Sequence, residues 1–199
     1  MTTPTSATQH GSETDPDRPG GRRRPGLVAP LPPQVLGGLV GAVGASVFVL
    51  VNRTRLAEPW PTVALVLWLL ALVAYIWFAL LRPRVLPELV PPSPRAGAVY
   101  GLSVVGMLGL IAVGGGLLRA NGHADLQPAL VAMAVGLHFL PFAAAFGAPV
   151  FRLLGAAVAS VGAVGLVLGL LVGTSAAAGA AVVAGLVMLV LITVDARRD

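Results

Sequence analysis

The sequence contains neither cysteine nor lysine, and it carries few charged residues of any kind. Without cysteine the protein has no disulfides, no thiolate metal ligands and no cysteine nucleophile. Charged residues make up 11% of the 199 residues and hydrophobic residues 56%, whereas a soluble domain carries about 25% charged residues. Because a soluble core of this size needs a polar shell, the composition excludes a soluble enzyme, a coiled coil and a disordered chain. It indicates an integral membrane protein.

The first 33 residues differ in kind from the rest of the chain. They are rich in proline, glycine, serine, threonine and charge, and they contain few large apolar side chains. Such a segment cannot bury enough apolar surface to offset the entropy lost on ordering. We therefore predict a disordered cytoplasmic tail over residues 1–33.

Six apolar runs follow the tail, and no run contains an aspartate, glutamate or arginine. A helix of about 20 residues, at a rise of 1.5 Å per residue, spans a hydrocarbon core of about 30 Å. A membrane barrel would need alternation with a period of two, which these runs lack. We therefore predict an all-α integral membrane protein with six transmembrane helices within residues 34–194. The predicted spans are Gln34–Val51, Pro61–Leu81, Ala98–Leu118, Gln127–Val150, Leu153–Gly173 and Ser175–Val194.

The arginines predict how the helices are oriented. If the N-terminus is cytoplasmic, ten of the 13 arginines fall on the inner side, and only Arg53, Arg55 and Arg119 fall outside. Cytoplasmic loops of membrane proteins are enriched in arginine, so both termini are predicted to be cytoplasmic, with residues 195–199 as a short inner end. The pI near 11.3 then reflects membrane orientation, and no nucleic-acid partner is expected.

One side chain that titrates near neutral pH, His138, lies within the predicted spans. It falls near the middle of the fourth span, where an ionisable group is costly and points to a functional site. Pro141 cannot donate a hydrogen bond to the Leu137 carbonyl, so a kink is expected beside the histidine. One interpretation is a gate or ligand pocket around His138 and Pro141. The other is a neutral histidine that only packs against its neighbours, and this second interpretation is favoured.

Catalytic residues, metal ligands and cofactors are not expected in the spans. A lone histidine without a carboxylate or thiolate partner cannot complete an ordinary zinc shell. Haem needs only one axial protein ligand, so it stays open as an alternative role for the histidine. The serines within the spans are expected to form hydrogen bonds to backbone or to neighbouring helices rather than to act as nucleophiles.

The segment Gly136-Leu137-His138-Phe139-Leu140-Pro141, followed by Phe142 and Phe146, resembles a G-L-H-F-x-P element of uncharacterised bacterial multi-pass membrane proteins. The resemblance covers roughly a dozen residues. It implies a polytopic protein whose fourth helix carries the element, and it implies no activity. The arginine-only basic composition suggests a genome rich in G and C, and we expect the protein in a bacterial cell (inner or plasma) membrane.

Glycines recur at every fourth position in the first and fifth spans. Residues four apart share one face of a helix, and small side chains let helices approach closely. We predict that these faces pack helices, either within the bundle or between copies in a homo-oligomer, and packing within the bundle is favoured. The residues concerned are Gly37, Gly41, Gly165, Gly169 and Gly173.

The chemistry of the spans favours a structural or regulatory membrane component that has no enzymatic activity and whose main partner is the lipid bilayer. The alternative is a transporter or channel gated around His138 and Pro141. Because the spans offer no charged group to bind a substrate, such a transporter would carry a small neutral or lipophilic solute.

Overall fold

A computed structural model of the chain describes residues 33–82, 94–146 and 148–198. The predicted disordered tail lies outside this described part, apart from Pro33. The described ranges contain six helices long and apolar enough to cross a membrane and no strand, so the predicted all-α fold with six spans is confirmed. The helices are α1 (Pro33–Asn52), α2 (Trp60–Tyr75), α3 (Ala96–Ala120), α4 (Gln127–Ala145), α5 (Val150–Leu171) and α6 (Thr174–Arg198).

Short irregular turns join or extend these helices. A 3₁₀ turn over Arg53–Arg55 follows α1, another over Ala124–Leu126 precedes α4, and a π-helical stretch over Ile76–Leu81 continues α2. Helix α4 ends at Ala145, short of the predicted Val150, and Val150 instead begins α5. Pro149 accounts for the break, because a proline disfavours helical conformation at the residue before it.

Helices α4 and α5 are in direct backbone contact at three glycines. A Cβ placed on Gly155 would lie 2.8 Å from the carbonyl oxygen of Gly136. A Cβ on Gly136 would overlap the backbone nitrogen of Ala159, and one on Gly162 would overlap that of Met133. Only a missing side chain permits such an approach, so the glycines determine how closely these two helices pack.

Helix α6 connects this pair to α1 and α2. Its buried residues Ala181, Ala184 and Met188 share one core cluster with Phe48 of α1 and Tyr75 of α2. A hydrogen bond adds to the contact between α1 and α2: the Trp68 indole N–H donates to Ser46 Oγ at 3.0 Å. Near the C-terminal end of α6, the Arg197 guanidinium lies 4.6 Å from the centroid of the Phe78 ring.

Helix α3 stands at the edge of the bundle. Only 6% of its apolar stretch is buried, against 44%, 39% and 50% for α4, α5 and α6. Among the described residues it contacts α4 and the 3₁₀ turn before α4, and no other element. Its remaining faces are therefore uncovered by the chain itself.

Candidate functional site

The sequence singles out His138, and the structure places it on α4, half-buried. Its imidazole ring packs against two phenylalanines of the same helix. The ring centroids lie 4.3 Å from Phe139 and 4.9 Å from Phe142, and the second pair meets edge to face at 86°. Such edge contacts are favourable for aromatic rings, contributing about 0.5–1.5 kcal/mol beyond area burial. Aromatic carbon thus covers a good part of the ring.

These rings belong to a larger aromatic cluster, in which three helices take part. Tyr100 of α3 stacks on Phe142 at 5.6 Å, and Phe151 of α5 stacks on Phe139 at 6.0 Å. Phe146, just after α4, meets Phe142 at 5.4 Å. The aromatic cluster is the place where α3, α4 and α5 join, so its first effect is to hold helices together. Its members are Tyr100, His138, Phe139, Phe142, Phe146 and Phe151.

The polar groups around His138 are few. Ser103 of α3 donates a hydrogen bond of 2.7 Å to the backbone carbonyl of His138. Its hydroxyl is therefore engaged with the backbone rather than with the imidazole, and the two side chains do not form a nucleophile–base pair. The Nδ1 atom of His138 is buried and has no hydrogen-bond partner among the described residues. The same part of the chain holds no group of three or more acidic, histidine or cysteine side chains that could bind a metal.

Pro141 lies within α4, and the helix continues past it to Ala145. Its missing N–H leaves the Leu137 carbonyl without its usual helical donor. Ser103 donates to the next carbonyl along the chain, that of His138. The side chain of Pro141 is exposed, on the outside of the bundle. Proline and histidine are therefore neighbours on one helix, but they do not face a common space.

No family model, curated protein or solved structure matches the chain. The resemblance of the 136–141 segment to a bacterial membrane-protein element stays a prediction. The structure nevertheless gives its residues separate places: Gly136 packs against α5, His138 and Phe139 join the aromatic cluster, and Pro141 faces outwards. Most of the segment thus contributes to helix packing.

The five glycines predicted to pack helices have different surroundings. A Cβ on Gly165 would meet Ala180 of α6 and Ala129 of α4, and one on Gly169 would meet Leu126, before α4, and Ala177 of α6. Both glycines therefore lie where α5 meets α4 and α6. A Cβ on Gly41 would lie 2.6 Å from Cδ1 of Ile192, again on α6. Gly37 has open space around it, and Gly173 adopts a positive φ of 134° in the turn between α5 and α6.

Neither His138 nor Pro141 lines either of two open cavities formed by the described residues. One is an apolar groove between α5 and α6. The other, which we call the loop-end cavity, has a volume of about 420 Å³. Its lining residues are Arg55, Asp125, Thr174 and Ser175.

The sequence alone does not predict the loop-end cavity. Arg55, Asp125 and Thr174 lie far apart along the chain, and only the helix arrangement brings them together. One signal was present: Arg55 is one of three arginines on the predicted outer side. Arginine is scarce on that side of membrane proteins, so an arginine there calls for a reason.

Proposed function

We propose that this protein is a structural or regulatory component of a bacterial cell membrane, which associates with a second copy of itself through α3. Six apolar helices make it a polytopic membrane protein. The observation that carries the proposal is the exposure of α3, of which only 6% of the apolar stretch is buried. Neither enzymatic activity nor a bound cofactor is part of the proposal.

The surroundings of His138 support a packing role over a transport role. A gate needs space that opens onto it, and the two cavities described above are lined by residues other than His138 and Pro141. The imidazole instead packs against Phe139 and Phe142. These contacts favour a packed histidine, whereas the buried Nδ1 atom without a partner in the described part of the chain is the observation that favours the transporter alternative.

The free face of α3 has the composition of a helix-packing surface. A stripe of small residues, interrupted by one valine, runs along it at spacings of three and four, and an added Cβ at each of its glycines would meet nothing within 4 Å. In lipid, helices associate through small residues that let their backbones approach. The stripe consists of Ala98, Gly101, Val105, Gly109, Ala112 and Gly116.

A second α3 is the partner that best fits this stripe. A two-fold pair of α3 helices would place each stripe against itself, which is the usual symmetry of homodimers. Within the chain, α4 and α5 already approach through glycines in this way. The stripe of α3 would repeat that contact between copies.

The absence of cysteine allows a direct test by disulfide crosslinking. Val105 lies on the stripe and is 66% exposed, while Val73 of α2 lies at a similar depth and is 64% exposed. We expect Val105→Cys to give a covalent dimer when membranes are treated with a lipid-permeable oxidant, and Val73→Cys to stay monomeric. Equal crosslinking of both variants, or crosslinking of neither, would contradict the proposed dimer.

We further propose that both termini face the cytoplasm, on the strength of the arginine distribution. In this orientation Ala124 lies outside and Pro94 inside, and both residues are exposed. Single-cysteine variants at the two positions can be labelled in intact cells with a membrane-impermeant maleimide. Labelling of Ala124→Cys alone is the expected result. Labelling of Pro94→Cys alone would show that the topology is the reverse of the one proposed.

A further inference from the structure

The loop-end cavity combines opposite charges with hydroxyl groups at one end of the helix bundle. Arg55 belongs to the 3₁₀ turn after α1, and Asp125 belongs to the 3₁₀ turn before α4. Thr174 and Ser175 are the first two residues of α6, and together the four side chains line about 420 Å³. That volume lies within the range of about 300–1,000 Å³ typical of small-molecule sites.

The two charged side chains of the loop-end cavity are not satisfied by each other. Among residues 33–82, 94–146 and 148–198, neither Arg55 nor Asp125 forms an ion pair. Both side chains are exposed to the cavity mouth. A ligand that carried one negative and one positive group could bind both without displacing an existing bond.

We propose that the loop-end cavity binds a phosphoethanolamine group. The phosphate fits Arg55, because a guanidinium binds phosphate oxygens through paired N–H donors. The hydroxyls of Thr174 and Ser175 add donors for the remaining oxygens. The ammonium group fits Asp125, whose carboxylate only accepts hydrogen bonds when ionised.

The lining of the loop-end cavity distinguishes a primary ammonium from a quaternary one. Proteins recognise quaternary ammonium groups with aromatic side chains, and the four residues that line this cavity include none. A primary ammonium instead supplies N–H donors to a carboxylate, as Asp125 offers. Phosphoethanolamine is therefore preferred to phosphocholine.

The position of the cavity suggests where such a group would come from. All four lining residues lie at the ends of membrane-spanning helices, which is the level of lipid headgroups in a bilayer. Phosphatidylethanolamine lipid and free phosphoethanolamine share the same chemistry. A competition experiment between the lipid and the free compound distinguishes the two sources.

Native mass spectrometry of the full chain in detergent can measure the affinities for dioleoyl phosphatidylethanolamine and dioleoyl phosphatidylcholine. We expect the ethanolamine lipid to bind about tenfold more tightly, because its ammonium group donates a charge-assisted hydrogen bond to Asp125 that a quaternary ammonium cannot donate. Asp125→Asn should remove this preference, whereas Arg55→Gln should weaken the binding of both lipids, since both carry the phosphate. Displacement by soluble phosphoethanolamine would identify a site that also takes the free compound, and a lack of displacement a site for the lipid; either agrees with the proposal.

Two matched variants control for general loss of charge. Glu58→Gln, before α2, and Arg119→Gln, in the last turn of α3, remove exposed charges at the same end of the bundle that do not line the cavity. Both variants should bind the ethanolamine lipid like the unmodified chain. Since Arg55 and Asp125 are exposed, their variants should keep the elution volume and melting temperature of the parent. Equal affinity for the two lipids, or equal losses in the control variants, would overturn the proposal.

Discussion

Helices α3 and α5 are both rich in glycine, but the glycines on the outer face of α3 and those of α5 have opposite surroundings. On α5, a Cβ at Gly155, Gly162, Gly165 or Gly169 would collide with α4 or α6. On the outer face of α3, a Cβ at Gly101 or Gly109 would meet nothing within 4 Å. The same residue type therefore serves a contact already made in one helix and leaves a surface free in the other, and spacing alone does not distinguish the two.

The largest expected effect comes from placing a large side chain at a glycine where α5 contacts α4. We predict that Gly162→Leu lowers the free energy of unfolding by about 3 kcal/mol, because added methylenes in a tight contact force the helices apart. The side chain would have to displace the backbone of Met133 on α4. The measurement is unfolding of the purified chain in mixed micelles of increasing dodecyl sulfate content, followed by circular dichroism.

Gly109→Leu is the matched control for this substitution. Open space surrounds Gly109, so the monomer should keep its stability to within about 0.5 kcal/mol. The same change should reduce the disulfide crosslinking of Val105→Cys, because leucine would block a close approach of two α3 helices. If Gly109→Leu destabilised the monomer as much as Gly162→Leu, the contrast between the two helices would be wrong.

An intermediate effect is expected at His138, which lies on α4, the helix that contacts both α3 and α5. His138→Ala should lower the free energy of unfolding by about 2 kcal/mol, because it removes a ring that packs on Phe139 and Phe142. His138→Phe keeps an aromatic ring and should restore most of that loss. The amount of protein in the membrane and the unfolding curve report both changes. A phenylalanine variant that is stable and abundant but gives the phenotype of a gene deletion would instead assign His138 a chemical role.

The sequence predicts the fold well because a membrane span is a property of one continuous segment. Length and hydropathy suffice for six helices, and no contact between distant residues is needed. The contacts of the predicted site are different in kind, since Ser103 bonds to His138 across two helices. No periodicity in either helix indicates that pairing. The loop-end cavity depends even more on tertiary structure, because Arg55 and Asp125 belong to two separate turns and Thr174 begins α6.

The glycines show where the prediction from sequence reaches its limit. Four-residue spacing predicts helix packing at Gly165 and Gly169, and both do face a neighbouring helix. The same spacing drew attention to Gly37, around which the structure leaves open space. The four-residue spacing does not include Gly155, which touches the backbone of α4. Spacing identifies a face on which a helix can be approached, whereas the partner of that face depends on the whole bundle.

The smallest expected effect tests what holds α3 against α4. Ser103→Ala removes the hydrogen bond to the His138 carbonyl, and hydrogen bonds between membrane helices contribute about 0.6 kcal/mol on average. Trp68→Phe removes the comparable bond between α2 and α1 and also part of a ring that packs against the core, so it should cost more. Unfolding in mixed micelles measures both. The small value is expected for Ser103 because apolar contacts also join α3 to α4, including the stack of Tyr100 on Phe142 and the fit of Gly114 against Leu130. A loss of several kcal/mol from Ser103→Ala alone would mean that this one bond secures α3, and that the helix has too little apolar contact with its own chain to serve as a firm surface for a second copy.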